Sequence, residues 1–236
     1  MVSLDHWARM LTEGPAEGAE RSRHICQLCA QLLGVTGAGI SMVTATGNRG
    51  VICATDEVSA RIEDLQFTLG EGACVEAVKG GLPVMVNDLH EPGDVAVERW
   101  PAFLEGVAAA GVRAVFALPL RVGTVNVGAL DLYRDLPGKL TTGQLSAALT
   151  AADAAAVALL QLGTGYANPF ADDPDGRTTY QMQVHQASGM VKIQAGVTID
   201  EAFLMLRAHA FATGRPVAEV AKDVVERRLR FPAEDR

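Results

Sequence analysis

The sequence predicts an α+β domain followed by a smaller, all-α domain of three helices. Five apolar, β-branched runs bounded by glycine or proline lie before residue 166, and only helical periodicity is found after residue 177. Between them, residues 167–177 contain two prolines, one glycine and several Asp and Asn residues, a composition typical of a linker. The predicted domains are therefore residues 1–166 and 178–236.

The elements of the first domain follow from apolar runs and their glycine breaks. A helix is predicted from Ala16 to Leu33, where Gly34 ends it. The five strands are predicted at residues 39–45, 51–54, 83–87, 114–120 and 125–133. The other helical segments are a turn with a short helix within residues 66–80, a helix over residues 100–110 and a closing helix over residues 142–162. Strands joined by such long connections favour an α+β sheet over a doubly wound one.

Three helices are predicted after the linker, over residues 178–195, 198–213 and 216–230. Gly196 and Gly214 are expected to end the first two. Thr198, with Glu201 three residues later, has the pattern of an N-terminal capping box, and Pro216 is expected at the first position of the last helix.

The first of these helices has two apolar faces when residues are placed 100° apart. One face consists of Tyr180, Val184, Ala187 and Val191, and the other of Met182, Met190 and Ile193. Two apolar faces require two partners. One is the rest of the domain, and the other is either a second copy of the chain, as in a helical dimer, or the first domain.

A polar stripe between those faces consists of Gln181, His185, Ser188 and Lys192, with Gly189 beside it. Because glycine within a helix costs about 1 kcal/mol relative to alanine, close approach of another backbone is expected there. Amide, imidazole, hydroxyl and ammonium groups beside bare backbone suit a phosphate backbone or an unstacked base. The alternative is a solvated face whose glycine packs against another helix.

Arg207 falls inside the apolar arc of the second helix, next to a core stripe that is predicted to contain Ile199, Ala202, Phe203, Leu206 and Ala210. Such an arginine is either paired with an acid, for which Asp223 is the candidate, or directed at an anionic ligand. His209 lies on the polar side of the same helix. The third helix ends in arginines that complement the helix dipole or contact phosphates: Arg227, Arg228 and Arg230.

Composition restricts the class of function. The net charge of −8 argues against the whole chain binding a polyanion, although residues 177–236 carry nine Lys and Arg against seven Asp and Glu. A cytoplasmic location is expected, because no signal-peptide pattern and no apolar run of membrane-spanning length is found. The four cysteines, Cys26, Cys29, Cys53 and Cys74, are then expected to be reduced thiols.

No metal site, cofactor or catalytic residue is predicted. Cys26 and Cys29, next to His24, have the spacing of half a zinc site, but a structural zinc requires a second pair. The two cysteines are therefore expected to be core residues. No catalytic triad or phosphate-binding glycine loop is found either.

Residues 178–231 resemble the ANTAR domain, on the segments Val184–Val191, Ala195–Ala202, Leu206–Ala221 and Val224-Val225. The resemblance implies an RNA-binding module of transcription antitermination regulators, which binds paired hexanucleotide-loop hairpins as a homodimer. The matching family features are Ala187 and Gly189, Leu206 and Arg207, and Ala208 and Ala210; Ser188 stands where many relatives have a basic residue. The candidate RNA contacts are Gln181, His185, Ser188, Gly189, Lys192, Arg207, His209, Arg215, Arg227 and Arg228.

Residues 16–162 resemble a GAF domain, on the segments Gly70–Cys74, Pro83–Leu89, Arg99–Pro101, Gly111–Leu120 and Gly128–Tyr133. The resemblance implies a central antiparallel sheet flanked by helices and a role in sensing a small molecule or redox state, without naming the ligand. Free methionine sulfoxide reductases are GAF-fold relatives that share the Gly-x-Gly-x-Cys element. Their chemistry needs a nucleophilic cysteine in the segment that corresponds to residues 90–115, and that segment contains none.

The sequence therefore predicts a homodimeric GAF–ANTAR regulator that binds RNA under the control of its GAF domain and is not an enzyme. A GAF-controlled DNA-binding regulator is the alternative, followed by the reductase. DNA binding is disfavoured because the exposed face of the third helix suits neither groove; it consists of Glu219, Lys222, Asp223 and Glu226.

Overall fold

The computed structural model describes residues 18–43, 49–91, 99–163 and 177–232, together with His6, Arg9 and Met10. The chain divides into two compact units, Met1–Asp172 and Asp173–Arg236. The predicted linker lies outside the described residues, apart from Arg177. The first unit is an α+β fold and the second is a set of three helices, so the predicted fold class is confirmed.

A five-stranded sheet forms the centre of the first unit. Its strands are β1 (Gly37–Val43), β2 (Arg49–Ala54), β3 (Val84–Val86), β4 (Ala114–Val122) and β5 (Val125–Arg134). Their order in the sheet is β2-β1-β5-β4-β3, and all neighbouring strands are antiparallel. The five predicted strands are confirmed, with ends that differ by a few residues.

Helices cover both faces of the sheet. The helices are α1 (Gly18–Leu33), α2 (Glu57–Leu69), α3 (Ala73–Gly80), α4 (Pro101–Ala108) and α5 (Thr142–Gly163). Because side chains alternate along a strand, Phe116 and Leu118 of β4 pack with α1 and α5, whereas Val115 and Ala117 pack with α3 and α4 on the other face. The sheet is thus the middle of three layers.

Helix α2 was not predicted; the sequence indicated a short helix only within residues 66–80, where α3 lies. Its inner face includes Ser59, Glu63 and Gln66, which are all 2% exposed, so hydrophobic periodicity does not show that this face is buried. Asp56 starts the helix through a capping box with Ser59, and Gly70 ends it with a φ of 69°.

A disulfide joins Cys26 of α1 to Cys53 of β2, so the expectation of four reduced thiols was wrong for this pair. Helix α1 packs against β2, and the two Cα atoms lie 6.4 Å apart, within the range of a disulfide. Cys29 and Cys74 are buried free thiols. Burial raises the pKa of Cys29 to about 12, which makes it an inert core residue at neutral pH.

Helices α6 (Arg177–Ala195), α7 (Ile199–Thr213) and α8 (Val217–Val225) form the second unit. One predicted face of α6 is confirmed as core, because Val184, Ala187 and Val191 are fully buried. The capping box of Thr198 and Glu201 and the end of α7 at Gly214 are also confirmed. None of the described helices of the chain is both long and apolar enough to cross a membrane.

Helix α8 is shorter than predicted. Pro216 is its N-cap residue rather than its first helical residue, and the helix ends at Val225 rather than at residue 230. The chain reverses at Arg227, which has a φ of 61°, and the backbone N–H of Arg228 then donates to the carbonyl oxygen of Asp223 at 2.7 Å. Arg227 and Arg228 therefore follow the helix instead of forming its last turn.

Candidate functional site

Two adjoining cavities lie between the sheet and helices α2 and α3, with about 260 and 220 Å³ of empty space, part of it continuous with solvent. Glu63 and Gln66 of α2 line both. The other lining residues of the first are Gly39, Ser59, Ile62, Ala73, Phe103, Val115, Asp131, Leu132 and Tyr133, and those of the second are Ser41, Gly50, Val51, Phe67 and Cys74.

Small residues of β1 leave room for the cavities. Ala38 and Ile40 pack into the core on the α1 side, so alternation directs Gly39 and Ser41 to the α2 side. A Cβ atom on Gly39 would overlap the carboxylate of Glu63. Asp131 of β5 is the register partner of Gly39, which places a second carboxyl group beside this gap.

Three potential metal ligands meet at this place. The ligand atoms of Glu63, Cys74 and Asp131 all lie within 4.8 Å of one another, and the three residues are 2%, 1% and 7% exposed. Ser41 Oγ lies 3.2 Å from the sulfur of Cys74. The sequence predicted no metal site, and its Gly70–Cys74 motif indicated only one of the three residues.

The Gly70–Cys74 turn holds Cys74 next to the side chain of Gln66. Gly72 has a φ of 121°, and a side chain there would meet Gln66. The backbone N–H of Cys74 donates to Gln66 Oε1 at 2.7 Å. This bond uses the amide oxygen of Gln66. Its amide nitrogen has no hydrogen-bond partner among the described residues.

Tyr133 closes the first cavity on the side of Asp56. Its hydroxyl donates to Asp56 Oδ1 at 3.2 Å. Burial and the neighbouring Asp56 carboxylate raise the pKa of Tyr133, so the phenol remains protonated at neutral pH. The cavity therefore has a fixed hydrogen-bonded wall beside its acidic centre.

In the second unit, His185, Phe203 and Arg207 form a cluster between α6 and α7. The His185 and Phe203 rings lie 5.4 Å apart, and the Arg207 guanidinium lies 5.0 Å from the centre of the Phe203 ring. Lys192 is exposed on the same side of α6 as His185. The name α6–α7 surface is used below for His185, Gly189, Lys192, Phe203 and Arg207.

The predicted polar stripe of α6 is wrong in one position. Ser188 is fully buried, and its hydroxyl donates to the carbonyl oxygen of His185 at 2.8 Å, because it lies beside the buried Ala187 at the edge of the core. Gly189 does not pack against another helix: among the described residues nothing lies within 4 Å of a Cβ added there. The glycine leaves bare backbone open beside Lys192.

Asp223, one of the two alternative partners considered for Arg207, is paired with other arginines. Asp223 forms ion pairs with Arg215 and Arg228, each at 2.8 Å, whereas Arg207 stacks on Phe203. Phe203 itself is only half-buried rather than part of the core. Arg215 also pairs with Glu219, so two of the predicted RNA contacts are held by acids of α8.

The remaining candidates lie apart from the α6–α7 surface. His209 packs edge-on against Phe231 at 5.5 Å, and Arg227 is exposed after the end of α8. The side chain of Gln181 lies outside the described residues. Four large apolar side chains are exposed on α6 and α7, two of them from the predicted second apolar face of α6: Met182, Ile193, Leu204 and Phe211.

The chain is similar to several solved structures at low sequence identity. A GAF domain of a phosphoenolpyruvate-protein phosphotransferase from Acinetobacter has a TM-score of 0.50 and 10% identity, and the match covers 70% of this chain and 95% of that one. The third GAF domain of Slr1393 from Synechocystis sp. PCC6803 has a TM-score of 0.47 and 18% identity, covering 61% and 93%. A type II free methionine-R-sulfoxide reductase from Thermoplasma acidophilum has a TM-score of 0.44 and 17% identity, covering 61% and 96%. At these identities the likeness concerns the fold alone.

Family models match both units. The model of the GAF domain matches residues 18–159, and the model of the ANTAR domain matches residues 179–225. No curated protein matches the chain significantly. The order of the matches agrees with the resemblance inferred from the sequence. The chain therefore belongs to the GAF domain family over residues 18–159, and an ANTAR domain follows at residues 179–225.

Proposed function

We propose that the chain is a transcription antitermination regulator whose ANTAR domain binds RNA under the control of the GAF domain. A sensory domain followed by an ANTAR domain fits a regulator, since both matched families are regulatory rather than catalytic. RNA is the proposed partner, in the form of paired hairpins with hexanucleotide loops.

The α6–α7 surface is the observation that carries this proposal. It combines an aromatic ring, a guanidinium stacked on that ring and an imidazole beside it, within 5.4 Å. Unstacked bases of RNA loops bind to such planes, whereas double-helical nucleic acid does not expose its base faces. Lys192 and the open backbone at Gly189 lie on the same side of α6 and suit a phosphate group.

A homodimer is proposed because α6 exposes part of its second apolar face. Met182 is 55% exposed and Ile193 is 79% exposed, while the opposite face of the helix is buried in its own unit. A second copy that covers these side chains would place two RNA surfaces in one particle. Two linked hairpins would then bind far more tightly than one, because the second contact benefits from a high effective concentration.

A change in the GAF domain would control binding through the spacing of the two ANTAR modules. Binding to two hairpins at once depends on whether the two surfaces match the separation of the loops. A ligand or redox event in the GAF domain that alters this separation would therefore alter affinity for the paired RNA, with little effect on affinity for one hairpin.

The test compares three probes at one salt concentration: an RNA with two hexanucleotide-loop hairpins, its single-hairpin half, and duplex DNA of the same sequence. We expect the affinity to decrease in that order. Arg207→Ala combined with Lys192→Ala should weaken binding to the paired hairpins at least tenfold. Circular dichroism of the variant verifies that the helices are retained.

Lys222→Ala is the matched control, because Lys222 is an equally charged, exposed residue of α8 outside the α6–α7 surface. It should bind RNA like the unmodified protein. Equal affinity for all three probes, or unchanged binding by the Arg207 and Lys192 double variant, would contradict the proposal. Preference for the duplex would instead identify a DNA-binding regulator.

A further inference from the structure

We propose that the GAF domain holds a divalent transition-metal ion on Glu63, Cys74 and Asp131. The three residues come from α2, from α3 and from β5, and the fold brings their ligand atoms within 4.8 Å of one another. The site is contained in the first unit, so the inference does not depend on whether the second unit binds RNA.

The cluster is built by the backbone. Gly39 has no side chain, and a Cβ there would occupy the position of the Glu63 carboxylate. Its register partner Asp131 supplies the second carboxyl group from the neighbouring strand. The Gly72 turn then places Cys74 at the start of α3, with its N–H bound to Gln66. Two glycines and one backbone hydrogen bond thus keep the ligands together.

The acidic groups of Glu63, Cys74 and Asp131 favour the binding of a cation between them. Two carboxyl groups and a thiol converge where each residue is less than a tenth exposed. Like charges that close together in a medium of low polarity are strongly destabilised unless a cation or protons compensate them. Among the described residues that line the two cavities, there is no Lys, Arg or His.

The buried amide of Gln66 gives an independent indication of a ligand. Gln66 is 2% exposed and lines both cavities, and its amide nitrogen has no hydrogen-bond partner among the described residues. A buried donor without an acceptor costs about 1–3 kcal/mol. A water or small anion bound to the metal would accept this hydrogen bond. The first cavity has room for a molecule about the size of water.

The ligand set selects the class of metal. One thiolate and two carboxylates suit Zn²⁺ and Fe²⁺, whereas Mg²⁺ and Ca²⁺ prefer oxygen ligands alone. With bond lengths of about 2.0–2.3 Å, tetrahedral ligand atoms lie about 3.5 Å apart. Metal binding would draw the three ligand atoms, which lie within 4.8 Å of one another, to about that separation. Ser41, whose hydroxyl lies 3.2 Å from the Cys74 sulfur, would orient the thiolate.

The test uses the full chain, treated with a chelator and kept without reductant, so that the Cys26–Cys53 disulfide stays intact. Co²⁺ is the spectroscopic probe, because its bond to a thiolate produces a charge-transfer band in the near ultraviolet. We expect one Co²⁺ per chain and a melting temperature that rises with Co²⁺ concentration. Displacement by Zn²⁺, or by Fe²⁺ without oxygen, identifies the preferred ion; either result supports the site.

Variants separate this site from other metal contacts. Cys74→Ser should abolish the charge-transfer band, and Asp131→Asn and Glu63→Gln should each weaken Co²⁺ binding by about 100-fold or more. Cys29→Ser is the matched control, since Cys29 is also a buried free thiol but lies in the core on the other face of the sheet. Its band should be unchanged.

Two results would overturn the proposal. One is the absence of a charge-transfer band in the unmodified protein at millimolar Co²⁺. The other is a band of equal intensity in Cys74→Ser. If Cys74→Ser does not fold, as judged by circular dichroism, Asp131→Asn and Glu63→Gln take its place, because they keep size and shape; undiminished Co²⁺ affinity in both would then overturn it.

Discussion

Asp223 holds two of the predicted RNA contacts, Arg215 and Arg228, in ion pairs. Hydrogen bonds and ion pairs from Arg215, and then from Arg228, hold the pKa of this carboxyl below its usual range. In return, the acids raise the pKa of Arg215. Asp223 is only 19% exposed at its side chain, whereas Arg228 is 57% exposed. The network therefore joins the α7–α8 connection to the segment after α8 and is primarily structural.

The lowered pKa of Asp223 gives a prediction about acid stability. The carboxylate contributes stability above its unfolded pKa of about 3.9, and this contribution is lost as the pH falls through the lower folded pKa. Asp223→Asn should therefore lower the melting temperature at neutral pH, and the difference from the unmodified protein should shrink below about pH 4. Thermal unfolding at a series of pH values measures both effects.

Asp153→Asn serves as the control for charge removal, since Asp153 is an exposed carboxylate in the middle of α5. Its melting temperature should differ little from that of the unmodified protein at any pH. A difference for Asp223→Asn that stays constant down to pH 2 would show that the ion pairs with Arg215 and Arg228 do not stabilise the fold.

At the scale of residues, sequence patterns show which face of a helix a side chain lies on better than they show whether it is buried. His185 and Lys192 were assigned to a polar stripe, and helical spacing places them correctly on one side of α6. The same spacing assigned Ser188 to the surface, although a bond to the His185 carbonyl satisfies its hydroxyl inside the core. A serine at such a position is either exposed to solvent or buried with its hydroxyl bonded to the backbone, and only tertiary packing decides which.

At Gly128, strand β5 leaves no room for a side chain against strand β1. A Cβ atom added there would overlap the backbone carbonyl of Ser41, which no side-chain rotation can relieve. Gly128→Ala should therefore destabilise the first unit by about 1–3 kcal/mol. Chemical unfolding followed by circular dichroism measures the loss.

Gly80→Ala provides the comparison, because a Cβ added at Gly80, the last residue of α3, meets nothing within 4 Å. It should be neutral or slightly stabilising, as expected for an alanine in a helix. Equal stability of the two variants would mean that β1 can move away from β5 at little cost.

The disulfide between α1 and β2 should contribute strongly to stability. It closes a loop across a sequence separation of 27 residues, for which the lost chain entropy corresponds to about 3–4 kcal/mol. The double variant Cys26→Ser, Cys53→Ser should therefore unfold at lower denaturant, as should the unmodified protein with reductant. Cys29→Ser should retain its response to reductant, and a double variant as stable as the unmodified protein would contradict this expectation.

Elements could be predicted from sequence where apolar periodicity and glycine breaks agree. This holds for the five strands and for α6 and α7, whose capping box at Thr198 is a local signal. Helix α2 gave a weaker signal, because its buried face mixes the polar residues Ser59, Glu63 and Gln66 with apolar ones. The helix that the sequence missed is thus the one that supplies Glu63 and Gln66 to both cavities.

Charge is divided unevenly over the whole molecule. Residues 1–176 carry eleven Lys and Arg against twenty-one Asp and Glu, whereas residues 177–236 carry nine against seven. The proposed RNA binding should therefore depend on cations of the second unit, and its affinity should fall with salt. Removing one cation that contacts a phosphate lowers the slope of log affinity against log salt by about 0.7–1.

Lys192→Ala should show this change in slope when RNA affinity is measured from low to moderate salt. Lys79→Ala also removes an exposed cation, from α3, and should leave the slope unchanged. Parallel slopes for Lys192→Ala and the unmodified protein would show that Lys192 does not contact a phosphate.

At the scale of the molecule, both domains could be recognised from sequence, but the buried cluster could not. Glu63 and Asp131 lie far apart in the chain and meet only because α2 packs over Gly39 and its neighbour on β5. Cys74 was visible through its glycine motif, yet the partners of a buried thiol depend on long-range packing. The disulfide was missed for the same reason, since Cys26 and Cys53 share no local pattern.

The bond between Cys26 and Cys53 also bears on self-association. Strand β2 is at the edge of the sheet, where unpaired backbone groups offer a template for strands of other molecules. Aggregation by this route becomes easier when the edge strand separates from α1 and also exposes its apolar face. The disulfide joins that strand to α1, so it restrains the separation that would favour association with another chain. The disulfide that stabilises the native chain should thereby also limit association through the β2 edge of the sheet.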